Sequence, residues 1–129
     1  MSAEPMGYLR RWLPPLLWMA LIFLLSAQPT LPEVRQAWLD LLVKKGGHAL
    51  AYGVLTWLYL RALRGSSPPN DRLRLAALAL ALAYAISDEL HQAFVPGRNA
   101  SLLDLAIDGS GAMLALLGNR LWARPPAVR

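Results

Sequence analysis

Tyr84, Ser87, Asp88 and His91 stand at i, i+3, i+4 and i+7, a spacing that makes one continuous stripe on a helix. Glu89 and Gln92 flank that stripe. His48 and Tyr52 form a second pair at i, i+4, and Ser101, Asp104 and Asp108 open a third segment. Arg98 sits between the first and third groups, beyond the turn that Pro96–Gly97 imposes. These residue types support acid–base work. His91 is the expected general acid/base, oriented by Asp88, and Arg98 suits a phosphate or carboxylate. Glu89, Asp104, Asp108 and His48 are candidates to complete a proton relay, with Gln92, Tyr52, Tyr84 and Ser101 as substrate-binding candidates. No metal or other cofactor is expected: the spacing matches no metal motif, and the chain has no cysteine. Ser110, in Gly109-Ser-Gly111, lacks the frame of a nucleophile elbow.

Each of these groups also has a plainer role. Ser101-Leu-Leu-Asp104 matches a capping box, in which Asp104 satisfies backbone N–H groups. His48 fits an interfacial position beside a Gly46–Gly47 turn, and Glu89 fits a water-facing one. Tyr52 and Tyr84 suit an aromatic belt. Asp88 and Glu89 are less easily placed, because the C-terminal end of a helix disfavours anions. Asp108 lies seven residues beyond Ser101, roughly 10 Å deeper along a helix.

The segments that carry these residues are apolar. The chain has 129 residues, 56% of them hydrophobic and only 16% charged, with mean hydropathy +0.35. Soluble domains carry about 25% charged residues, so the composition points to a membrane and excludes a disordered chain. Four stretches are candidate spans: about 12–26, 47–63, 73–90 and 102–122. The first is short. Trp12 serves it as an anchor, and Pro14–Pro15 are expected within its opening turns. It is read as an uncleaved span, since Leu25 would occupy the −3 position of a cut after Ala27.

Charge orients the spans. With a cytoplasmic N-terminus, nine of the 13 Lys and Arg residues fall inside; Arg35, Lys44, Lys45 and Arg98 fall outside. The inner side nets +7 and the outer side −2, so both termini are expected in the cytoplasm. A basic balance that follows the loops gives no case for nucleic acid. Residues 64–72 make a polar inner linker that Pro68–Pro69 keeps from continuing as helix. Val34, Ala37, Trp38, Leu41 and Leu42 recur at helical spacing, predicting a separate amphipathic helix in the first outer loop. The expected fold is an all-α, single-domain membrane bundle of four transmembrane helices plus that interfacial helix, over residues 1–129. Every candidate site residue falls in its outer half.

The run from Ser87 to Arg98, followed by Ser101 and Asp104, resembles the signature of the VanZ-like family of small bacterial membrane proteins. The resemblance extends to Trp18, Phe23, Ser26, Gln28 and Pro29, and to Lys45, His48 and Tyr52, covering about 12–122. It departs at Lys44, where the family often has an acid, and at Asp108, where it often has asparagine. The resemblance implies a multi-pass protein of the bacterial cytoplasmic membrane with a role in teicoplanin or lipoglycopeptide resistance. It supplies no reaction. The expected partners are membrane lipids, and a lipid-linked cell-wall precursor or a lipoglycopeptide. Two classes of function follow: an enzyme acting on an envelope lipid, or a non-catalytic binding or scaffold protein. The sequence leaves oligomeric state and the choice between them open.

Overall fold

The computed structural model describes residues 5–27, 37–96 and 101–122. Among them every regular element is a helix: α1 (Pro5–Ser26), α2 (Ala37–Arg64), α3 (Asp71–Gln92) and α4 (Leu102–Trp122). α2 packs against the other three; α1 also touches α3, and α3 packs on α4. The shared core is built from Tyr52, Leu55, Tyr59 and Leu60 of α2, set against Ala77, Ala81 and Ala85 of α3 and Ala112 and Leu116 of α4.

Local chemistry explains the element ends. Gly65 adopts φ +56°, the left-handed conformation that closes a helix without a Cβ penalty, and α2 stops there. Pro68–Pro69 follow, and Asn70 caps α3 by accepting a 2.9 Å hydrogen bond from the Leu73 N–H. Ser101 caps α4, its Oγ accepting from the Leu103 and Asp104 N–H groups at 3.1 and 3.3 Å.

Three expectations need correction. α1 begins at Pro5, so it is long enough, and Pro14–Pro15 lie in its interior rather than its opening turns. The separate outer-loop helix does not form as such: residues 37–44 are the first turns of α2, which passes Gly46 and Gly47 without a break. Each interior glycine costs a helix only about 1 kcal/mol, less than breaking one that is packed on three neighbours. Val34 lies outside the described residues. The span boundaries also shift, although α4 keeps its expected limits.

α1 and α4 are long and apolar enough to cross a membrane, over Gly7–Ser26 and Leu102–Trp122. α2 and α3 do not meet the same measure of hydropathy and charge. The packing of α3 and α4 nonetheless has the opposite sense to that of a protein in water. α3 buries Ala77, Ala81, Ala85, Asp88, Glu89 and Gln92, while Leu75, Leu80, Ile86 and Leu90 face outward. α4 buries Asp108 and Gly111 and exposes Leu103, Met113, Leu114 and Leu117. Small and polar groups inside with leucine outside suit hydrocarbon surroundings.

Candidate functional site

The site begins with a close backbone approach. A Cβ on Gly111 of α4 would collide with the backbone of Ala49 on α2, and one on Gly53 would lie 3.2 Å from the Gly111 carbonyl oxygen. Only glycine lets these helices come so near. Gly118, two turns further along α4, has nothing within 4 Å of its Cβ position and takes no part.

One turn away, the approach brings side chains from α2 and α4 into register. His48 Nδ1 lies 2.9 Å from Asp108 Oδ1, and Asp108 is fully buried. Lys45, a turn before His48, pairs with Asp104, a turn before Asp108. Tyr52, a turn after His48, donates from its hydroxyl to Asp88 Oδ2 of α3 at 3.1 Å. A ladder of three polar contacts thus runs along one face of α2, spaced as a helix dictates.

Glu89 closes the cluster. Its Oε2 accepts the Ser101 N–H at 2.9 Å. In a capping box that N–H would go to the side chain three residues on, here Asp104. Glu89 supplies this half of the cap from α3, leaving Asp104 for Lys45. His48 lies within electrostatic reach of Asp88, Asp104 and Asp108, and Glu89 within reach of the same three carboxylates.

The expected His91–Asp88 partnership is not formed: Asp88 engages Tyr52, and His91 Nδ1 is buried with no hydrogen-bond partner. The His91 ring stacks on Phe23 of α1 with centroids 4.4 Å apart. An i, i+3 spacing permits the first pairing but does not require it, and the tyrosine on α2 takes the carboxylate. The histidine held by an acid is His48. Tyr84 is also drawn away, its hydroxyl donating to the Met19 carbonyl at 2.6 Å, and Ser87 is exposed. Gln92 is buried, with Nε2 3.4 Å from Ser26 Oγ. Arg98 lies outside the described residues, as do Gln28 and Pro29.

Several partners of the cluster were not singled out for chemistry: Lys45, Phe23, Ser26 and Trp18, whose indole N–H donates to the Ala51 carbonyl at 2.8 Å. Their positions all appear in the family resemblance, the one signal that marked them. Among the described residues, no group of three or more histidines and carboxylates is arranged to hold a metal ion.

Among the described residues, four buried side-chain polar atoms lack a hydrogen-bond partner: Asp88 Oδ1, Glu89 Oε1, His91 Nδ1 and Asp108 Oδ2. Three of them are carboxylate oxygens of this cluster; the fourth is on His91, three residues after Asp88 on α3. Such atoms are rare in folded proteins, each costing about 1–3 kcal/mol.

Helices with outward-facing leucine around a buried acid–histidine cluster, as the described residues form them, are the build of a helical membrane protein. The VanZ/LLP1 family model matches residues 11–123, and the chain is a member of that family. No curated protein and no solved structure matches it.

Proposed function

We propose that all four helices cross the bacterial cytoplasmic membrane, with both termini in the cytoplasm and the His48–Asp108 cluster at the outer leaflet. The excess of Lys and Arg in the segments assigned to the inside supports that orientation. The outward leucines of α2 and α3, Leu50 and Leu75 among them, support spans that hydropathy alone does not single out.

We infer that the cluster acts on a lipid or lipid-linked envelope substrate and thereby contributes to teicoplanin-type lipoglycopeptide tolerance. The observation that carries this reading is the His48–Asp108 pair, in a cluster where Asp88, Glu89 and Asp108 each keep one buried carboxylate oxygen without a hydrogen-bond partner. With Asp108 accepting from Nδ1–H, the basic lone pair of His48 is on Nε2, the arrangement used for proton transfer. Asp108 is then a positioning residue. Asp88 and Glu89 hold the neighbouring helices with one oxygen each and keep a second oxygen for a ligand.

A non-catalytic reading has its own support. Every carboxylate of the cluster already ties two segments together, as a binding scaffold requires. Mass spectrometry of envelope lipids and cell-wall precursors separates the two. Cells would express the intact chain or His48→Gln at matched membrane abundance. An enzyme changes a lipid or precursor species in a way that His48→Gln abolishes, whereas a binder leaves composition unchanged.

A further inference from the structure

A groove of about 550 Å³ runs along the outside of the α2–α4 seam. Ala49, Leu50, Gly53, Val54 and Trp57 line one side, and Gly111, Leu114 and Ala115 the other. It begins one residue after His48 on α2 and one turn after Asp108 on α4, so it leads away from the polar cluster along the same seam. Its lining is almost wholly apolar. From the geometry we propose that this groove is a fixed seat for one acyl chain of an outer-leaflet phospholipid whose polar end lies toward His48 and Asp108. The assignment to the outer leaflet rests on the membrane reading above.

A second protein helix is a poorer occupant. The small faces of Gly53 and Gly111 are already used by α2 and α4 against each other. What remains open is a channel flanked by Leu50, Val54, Trp57 and Leu114. From Ala49 to Trp57 it spans roughly 12 Å at 1.5 Å per residue, a length that part of an acyl chain follows. Its volume lies within the ~300–1,000 Å³ of ordinary ligand sites.

The test uses the full chain in phosphatidylcholine vesicles containing phosphatidylglycerol with a diazirine in its acyl chain. After irradiation, adducts are mapped by mass spectrometry. Leu50 and Leu114 are 69% and 67% exposed, against 61% and 66% for Leu17 and Leu75, which lie outside the groove. Adducts at Leu50, Val54 and Leu114 are expected to exceed those at Leu17 and Leu75 by about tenfold, the ratio given by ~1.4 kcal/mol of preference. Val54→Trp or, independently, Ala115→Leu should remove the excess without altering the two reference positions. Equal adduct yields everywhere overturn the proposal, since lipid would then only surround the protein. Chain-to-chain crosslinks from Leu114→Cys overturn it in favour of a second copy. Absence of adducts at Leu17 and Leu75 as well overturns the membrane reading itself.

Discussion

His48 Nδ1 meets Asp108 Oδ1 at 2.9 Å across the α2–α4 seam because, one turn further along, Gly111 admits the backbone of Ala49. The acid–histidine pair therefore depends on a residue with no side chain. Its burial depends on the same contact, since Asp108 is fully enclosed where the helices are closest.

Gly111→Ala should consequently be destabilising. Its Cβ meets backbone rather than a flexible side chain, so the helices must separate. Overpacking of this kind costs about 1–3 kcal/mol. Thermal unfolding in detergent should show a clear fall in Tm, whereas Gly118→Ala, with open space at its Cβ, should leave Tm unchanged or slightly higher. Equal effects at the two glycines contradict this account of the seam.

Tyr52 and Asp88 should be energetically coupled. Tyr52→Phe removes the hydroxyl from Asp88 Oδ2 and leaves both carboxylate oxygens unpartnered, at a cost of about 1–3 kcal/mol. Asp88→Leu should cost less in the Tyr52→Phe background than in the intact chain, by about 0.5–3 kcal/mol. A double-mutant cycle of unfolding free energies measures this directly, and additive effects would count against the pairing.

The cap of α4 is divided between two helices. Ser101→Ala should cost about 1 kcal/mol, through loss of its hydroxyl from the Leu103 and Asp104 N–H groups. Asp104→Asn should leave the cap untouched and weaken only the contact with Lys45. Amide hydrogen exchange over residues 101–106 distinguishes them: protection falls in the first variant and persists in the second.

Much of this was readable from spacing, and the failures share one cause. The limits of α4 followed from an apolar run over 102–122 that opens just after a serine cap. The inward placement of Asp108 followed from its depth. His91 was assigned Asp88 because periodicity compares residues on one helix, while the actual choice lay between His91 and Tyr52 across two. His48 and Asp108 are 60 residues apart, and no local pattern joins them. Gly46–Gly47 looked like a turn by propensity, yet tertiary packing carries α2 straight through it.

The proposed orientation puts residues 36 and 99 outside and residue 67 inside. The absence of native cysteine makes Gln36→Cys, Asn99→Cys and Ser67→Cys clean reporters. In intact cells an impermeant maleimide should label the first two, and Ser67→Cys only after lysis. The reverse pattern would place the cluster at the cytoplasmic face.

The most direct test of the central claim is teicoplanin susceptibility of a sensitive bacterium expressing the intact chain, His48→Gln or Asp108→Asn, with membrane abundance matched by immunoblot. The account predicts raised tolerance with the intact chain and its loss in both variants, acid–base roles being worth about 10²–10⁴-fold in rate. Undiminished tolerance in His48→Gln and Asp108→Asn at equal abundance would contradict it.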